Sequence, residues 1–141
     1  MGHEPQAEAI THVPEAGALT PEQYELVVHH LPVHLSVIDE RGILRYWHGA
    51  LFDGCDPEFI GRHVHDCHGP SSLPTIDRMI EAFAAGTRDE ATFWRREEGA
   101  LILFRYIALR DPDGAYRGML ETMEDITGII GLEGERRKLD W

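Results

Sequence analysis

The run Leu101-Ile102-Leu103-Phe104-Arg105-Tyr106-Ile107-Ala108-Leu109 is apolar on both alternating faces apart from Arg105. Side chains along a strand point alternately to opposite sides, so a segment apolar at odd and even positions alike must be covered on both faces. It belongs inside a sheet, with neighbours on both edges. Turn signals supply those neighbours: Glu98-Gly99 precedes the run and Asp111-Pro112-Asp113-Gly114 follows it. The pattern predicts a three-stranded meander over 91–98, 101–110 and 116–126.

Upstream, Leu35-Ser36-Val37-Ile38-Asp39 and Ile43-Leu44-Arg45-Tyr46-Trp47 flank Asp39-Glu40-Arg41-Gly42 and predict a hairpin. Between hairpin and meander, Gly54, Pro57, Gly61, Gly69 and Pro70 allow only short helical turns. A longer helix follows, with Ile76, Ile80 and Phe83 on one face and Gly86 placed as its left-handed cap. Before the hairpin, Thr20-Pro21-Glu22-Gln23 has the form of a capping box, and Tyr24, Val27, Val28 and Leu31 form an apolar stripe that ends at Pro32. Residues 1–19 mix Pro, Glu, Ala and His without periodicity and are expected to be a flexible arm. At the other end, Ile129, Leu132 and Leu139 have heptad-like spacing, interrupted by Arg136 and weakened by Gly131 and Gly134. Residues 128–141 are therefore expected to be a signalling helix or linker, after a domain spanning 20–127. No internal repeat is apparent.

Charge narrows the partners. Lys+Arg 13 against Asp+Glu 25 gives a formal net charge of -12, which repels nucleic acid and anionic membranes. No apolar run reaches the roughly 18 residues of a membrane span, and the first residues lack the pattern of a signal peptide. The expectation is a cytoplasmic protein with two reduced thiols, Cys55 and Cys67, and no disulfide. Protonating all nine histidines would carry the charge from -12 to -3 (-12 + 9), enough in principle to alter self-association.

The order hairpin, short helices, longer helix, meander resembles the Per-Arnt-Sim (PAS) sensor fold. "VIDERGILRYW" is similar to its first hairpin, "FIGRHVHDC" to its short central helices, and "LRDPDGAYRGMLETMEDIT" to its last two strands with their Asp-Ile-Thr ending. Within PAS domains the chain is most similar to the module found C-terminal to hemerythrin-like regions in bacterial and archaeal proteins. The features carrying that likeness are Leu31-Pro32-Val33, Gly61-Arg62, Cys67-His68, Phe93-Trp94, Arg105-Tyr106 and "LEGERRKLDW". Gly69 stands where that group usually has a second proline. The resemblance implies an α+β fold: a five-stranded antiparallel sheet with short helices and one longer helix on one face, plus an N-terminal helix. It implies a sensory function rather than an enzymatic one. Flavin-binding light-oxygen-voltage domains share the Gly61-Arg62 and Gly69-Pro70 frame, but Val64 occupies the photoactive cysteine position and His63 the flavin-contacting asparagine position. A cysteinyl-flavin photocycle is not expected.

His63, His65, Cys67 and His68 are the chemically distinctive cluster. If extended, His63, His65 and Cys67 share a side; if helical, His63 pairs with Cys67 and His65 with His68. Either arrangement offers metal ligands, and a metal-dependent enzyme is one alternative reading. Haem needs only one axial side chain, and His68 is the choice by analogy with haem-binding PAS domains, whose ligand often lies near the long helix. Ahead of haem stands the plainer reading, in which Cys67 and His68 cap or pack the turn into the helix. Arg105 has two uses: holding an anionic ligand, or pairing with Glu121 on the next strand. Trp94, Tyr106 and Tyr46 complete the set expected to line a cavity between sheet and helix. No Ser-His-Asp, His-Glu-x-x-His or phosphate-loop motif is present. The expected function is a cytoplasmic PAS sensor that binds a small molecule or cofactor, dimerises, and acts on a separate signalling protein. A ligand-free interaction module is the further alternative.

Overall fold

The computed structural model describes residues 17–49 and 57–141. Cys55 and most of the arm expected over 1–19 lie outside them. The chain divides into two compact units, Met1–Leu31 and Pro32–Trp141.

In the first unit, α1 spans Pro21–His30. Its start follows the capping-box pattern: Thr20 Oγ1 accepts from the Gln23 amide at 3.2 Å, and Gln23 Oε1 accepts from the Thr20 amide at 2.9 Å. None of its residues is buried, and Tyr24, Leu26 and Val27 are largely exposed.

The second unit is a five-stranded sheet with helices, built from β1 (His34–Asp39), β2 (Leu44–His48), α2 (Leu73–Ala85), β3 (Glu90–Glu97), β4 (Ala100–Arg110), β5 (Tyr116–Asp125) and α3 (Thr127–Ile130). Strand order is β2-β1-β5-β4-β3, and every pairing is antiparallel. Hairpin and meander join through β1 and β5, so the first strand of the unit lies beside the last. β4 takes the interior position that its apolar run demands. Its inner face is buried at Ile102 and Phe104, while Leu101, Leu103, Ile107 and Leu109 on the outer face are half-buried. Double coverage is thus fuller on one face than expected. No helix among the described residues is long and apolar enough to cross a membrane.

Two of the turns use one device. Asp39 Oδ1 accepts from the amides of Arg41 and Ile43, and Oδ2 accepts from Arg45 Nε at 2.7 Å. Asp111 Oδ1 accepts from the amides of Asp113 and Ala115, and Oδ2 accepts from Arg117 Nε at 2.8 Å. The spacing Asp-x-x-Gly-x-x-Arg thus occurs at both turns. In each case aspartate closes the turn and arginine on the next strand neutralises it.

The core lies between the sheet and α2. Ile76, Met79 and Phe83 of α2 pack with Ile38, Leu44, Val64 and Met119. Ile76, Ile80 and Phe83 share this side as the spacing predicts, and Gly86 ends the helix with φ 76°. Arg110 holds that end to the sheet, donating to the Phe83 and Arg88 carbonyls and to Asp89 Oδ1. At the C terminus, within the segment 128–141 expected as a signalling helix or linker, only the single turn of α3 is helical, and the backbone from Gly131 onward is irregular. Gly131 and Gly134 each cost helix about 1 kcal/mol relative to alanine, and the side chains beyond Ile130 are exposed, so no burial offsets that cost.

Candidate functional site

A cavity of about 570 Å³ lies between the inner face of the sheet and the segment from Val64 to Met79. That volume falls within the range of small-molecule pockets. Its walls are mainly apolar, from Ile38, Leu44, Ile76, Met79, Met119 and Met123, with Phe93, Phe104 and Tyr106 on the sheet side. Phe93 and Tyr106 meet edge to face at 5.7 Å.

Polar side chains reach the wall from His68, Ser71, Ser72 and Thr75, from Arg95 of β3, and from two adjacent strands, β1 and β5. His34 and Ser36 of β1 oppose Met123 and Glu121 of β5, so alternation brings His34, Ser36 and Glu121 to one face. Ser36 Oγ donates to Glu121 Oε1 at 3.0 Å. His34 is 1% exposed, and neither ring nitrogen has a hydrogen-bond partner among the described residues. Its ring meets Trp47 edge-on at 5.1 Å. Burial pushes His34 below the ordinary histidine value of 6.5, against the pull of Glu121, with His48 adding to the depression. At neutral pH it is an uncharged imidazole with one donor and one acceptor unused.

The residues expected from sequence divide between the two sheet faces. Cys67, His68 and Tyr106 line the cavity; Trp94 borders it but opposes Leu103 of the outer face and is 68% exposed. Arg105 and Tyr46 do not. Arg105 is exposed opposite Thr122, on the other face from Tyr106, and Tyr46 opposes Val37, on the other face from Ser36. Period-two alternation also separates Arg105 from Glu121, which opposes Tyr106, so the expected Arg105–Glu121 pair does not form. His34 and Glu121 were not among the expected cavity residues.

The cluster His63, His65, Cys67 and His68 does not converge. No group of three or more metal-ligating side chains occurs among the described residues. The segment forms a 3-10 turn over Val64–Cys67, in which His63 Nδ1 accepts from the His65 amide. His65 instead pairs with Asp77 on α2. His68 turns back, its Nδ1 at 3.0 Å from the Val64 carbonyl, so that nitrogen donates and Nε2 is left as the acceptor.

Comparison with known proteins agrees with this architecture. A PAS domain family profile matches residues 28–127. The chain belongs to the PAS domain family. A crystal structure of a C-terminal domain from Streptococcus mutans superposes on this PAS domain with TM-score 0.77 at 30% identity, covering 83% of this chain and 92% of that one. The PAS domain of a protein from Colwellia psychrerythraea gives 0.58 at 19% identity, covering 76% and 97%. A sensory box sensor histidine kinase from Vibrio cholerae gives 0.52 at 14% identity, covering 75% and 90%. No curated protein matches the chain.

Proposed function

We propose that this PAS domain is a cytoplasmic, non-enzymatic sensor that binds a small organic molecule between sheet and α2 and passes the change to a separate signalling protein. The observation that carries the reading is His34. A buried nitrogen without a partner costs about 1–3 kcal/mol, and neither His34 nitrogen has a partner among the described residues, so a guest in the cavity that His34 lines would offset that cost. The route outward begins at β5, which carries Glu121 into the cavity and ends at the Asp125-Ile126-Thr127 junction. There the Ile126 amide donates to the Leu101 carbonyl, the Leu101 amide donates to Thr127 Oγ1, and Asp125 accepts from Thr127. A shift of β5 is thereby transmitted to β4 and to the chain beyond. The kinase named among the similar folds supports a signalling setting, and exposed Tyr24, Leu26 and Val27 on α1 support a homodimer. Native mass spectrometry of the purified protein tests the reading: a bound mass released on denaturation supports it. Failure to find such a mass, with no amide shifts at Ile76 or Met119 on adding small apolar probes, overturns it.

Haem is the second reading, favoured by the His68 geometry. A histidine that donates through Nδ1 to a backbone carbonyl presents Nε2 in the tautomer used for iron ligation. Bound there, haem would supply reversible gas binding or electron transfer. The cavity fits it less well at the edges. Arg95, the lining arginine, already pairs with Glu97, and Glu121 adds an anion that opposes two propionates. A Soret band on adding haemin that His68→Ala shifts would establish this reading; identical spectra for both proteins would end it.

A further inference from the structure

The head-group chemistry of the guest follows from the polar wall. Glu121 brings a carboxylate to a mostly apolar cavity, where its described hydrogen bond comes from the neutral Ser36 hydroxyl. A carboxylate in such surroundings keeps several acceptor sites and calls for a cation or a strong donor. Arg95 does not answer that need, because it pairs with Glu97 and lies over the Phe104 ring at 4.8 Å. Beside Glu121, uncharged His34 contributes a ring nitrogen that has no partner among the described residues. An anionic guest would meet the Glu121 carboxylate, with the hydroxyls of Ser71, Ser72 and Thr75 and the already paired Arg95 as the lining donors.

Building on the ligand-binding reading above, we infer that the cavity selects a small apolar amine. Its ammonium group donates to Glu121 and to the free ring nitrogen of His34, and its hydrocarbon body lies among Ile76, Met79 and Met119. Ser36 holds the Glu121 carboxylate in place for that contact.

Isothermal titration of the full chain with toluene, benzyl alcohol, benzylamine and benzoate, read alongside amide shifts, tests the selection. Benzylamine is expected to bind about tenfold or more tighter than benzyl alcohol, because its ammonium sets a cation against the Glu121 carboxylate where the alcohol offers only a neutral donor. Benzoate is expected not to bind. Glu121→Gln, which can still accept from Ser36, should erase the preference for the amine, while toluene, which makes no polar contact, reports whether the cavity itself still binds. His34→Phe should weaken benzylamine more than it changes toluene. Equal affinity for amine and alcohol, tighter binding of benzoate, or an amine preference that survives Glu121→Gln overturns the amine assignment and leaves the cavity reading standing. If none of the four probes shifts the amides of lining residues, the cavity reading falls and the amine assignment falls with it.

Discussion

His34 combines burial, neutrality and two unused hydrogen-bonding groups, which makes it a poor residue for stability alone. Replacing it by phenylalanine removes both unpaired nitrogens while keeping a ring beside Trp47. Such replacements are nearly neutral or stabilising, here by up to about 1 kcal/mol for the ligand-free protein. The pH dependence separates this from mere tolerance. Because the folded-state value is depressed below 6.5, the unfolded chain takes up a proton at His34 before the folded protein does. His34 therefore contributes no penalty above pH 6.5, and stability is lost as pH falls from there toward the folded-state value. Urea unfolding at about pH 7.5 and about pH 5.5 should show a smaller loss for His34→Phe than for the wild type; an equal loss would assign the effect to other groups. Sequence reading missed this residue for a physical reason. In His34-Leu35-Ser36-Val37-Ile38 the alternate set Leu35 and Val37 is also apolar, and Leu35 is buried too, so periodicity alone does not say which set faces the cavity. The same ambiguity placed Arg105 of β4 and Tyr46 of β2 with the expected cavity residues, because residue type alone does not say which face of a strand a side chain takes.

Elements were more legible than faces, because capping and turn chemistry is local. The Thr20 capping box, the Gly86 cap and the turns at Asp39 and Asp111 rest on contacts within a few residues. Gly118 is different. It has φ 139°, and an added Cβ would fall 2.1 Å from the Ile38 carbonyl oxygen, a contact between strands 80 residues apart in numbering (118 - 38) that no local pattern announces. Gly118→Ala should destabilise by about 2–5 kcal/mol, from backbone strain and overpacking together. At Gly86, φ is 76° and an added Cβ would meet nothing within 4 Å, so Gly86→Ala should cost about 1 kcal/mol from conformation alone. Chemical denaturation of the two variants checks the order, and similar losses would refute the steric account of Gly118. Arg110 supplies a second long-range tie, between β4 and the end of α2. Arg110→Ala should lose about 2 kcal/mol and raise amide exchange first over 83–88, the segment whose carbonyls it holds.

For the whole molecule, charge and exposed apolar surface act against each other. Each copy carries a formal charge of -12, so a homodimer brings together two like-charged bodies, while Tyr24, Leu26 and Val27 of α1 offer apolar surface for contact. Repulsion between exposed charges is screened by salt and burial of apolar side chains is not, so the balance is adjustable. Going from about 10 mM to about 150 mM salt shortens the screening length from about 30 Å to about 8 Å. The dimer fraction should rise over that range, the opposite of an interface held by ion pairs. It should rise again as pH falls and histidines gain protons, moving the charge of each copy toward -3. Light scattering at both salt concentrations reads the effect directly. Val27→Asp, which adds charge to α1 without touching its Thr20 cap, should leave a monomer under all these conditions. A wild-type protein that stays monomeric throughout, or whose dimer dissociates with added salt, would rule out the apolar face of α1 as the dimer contact.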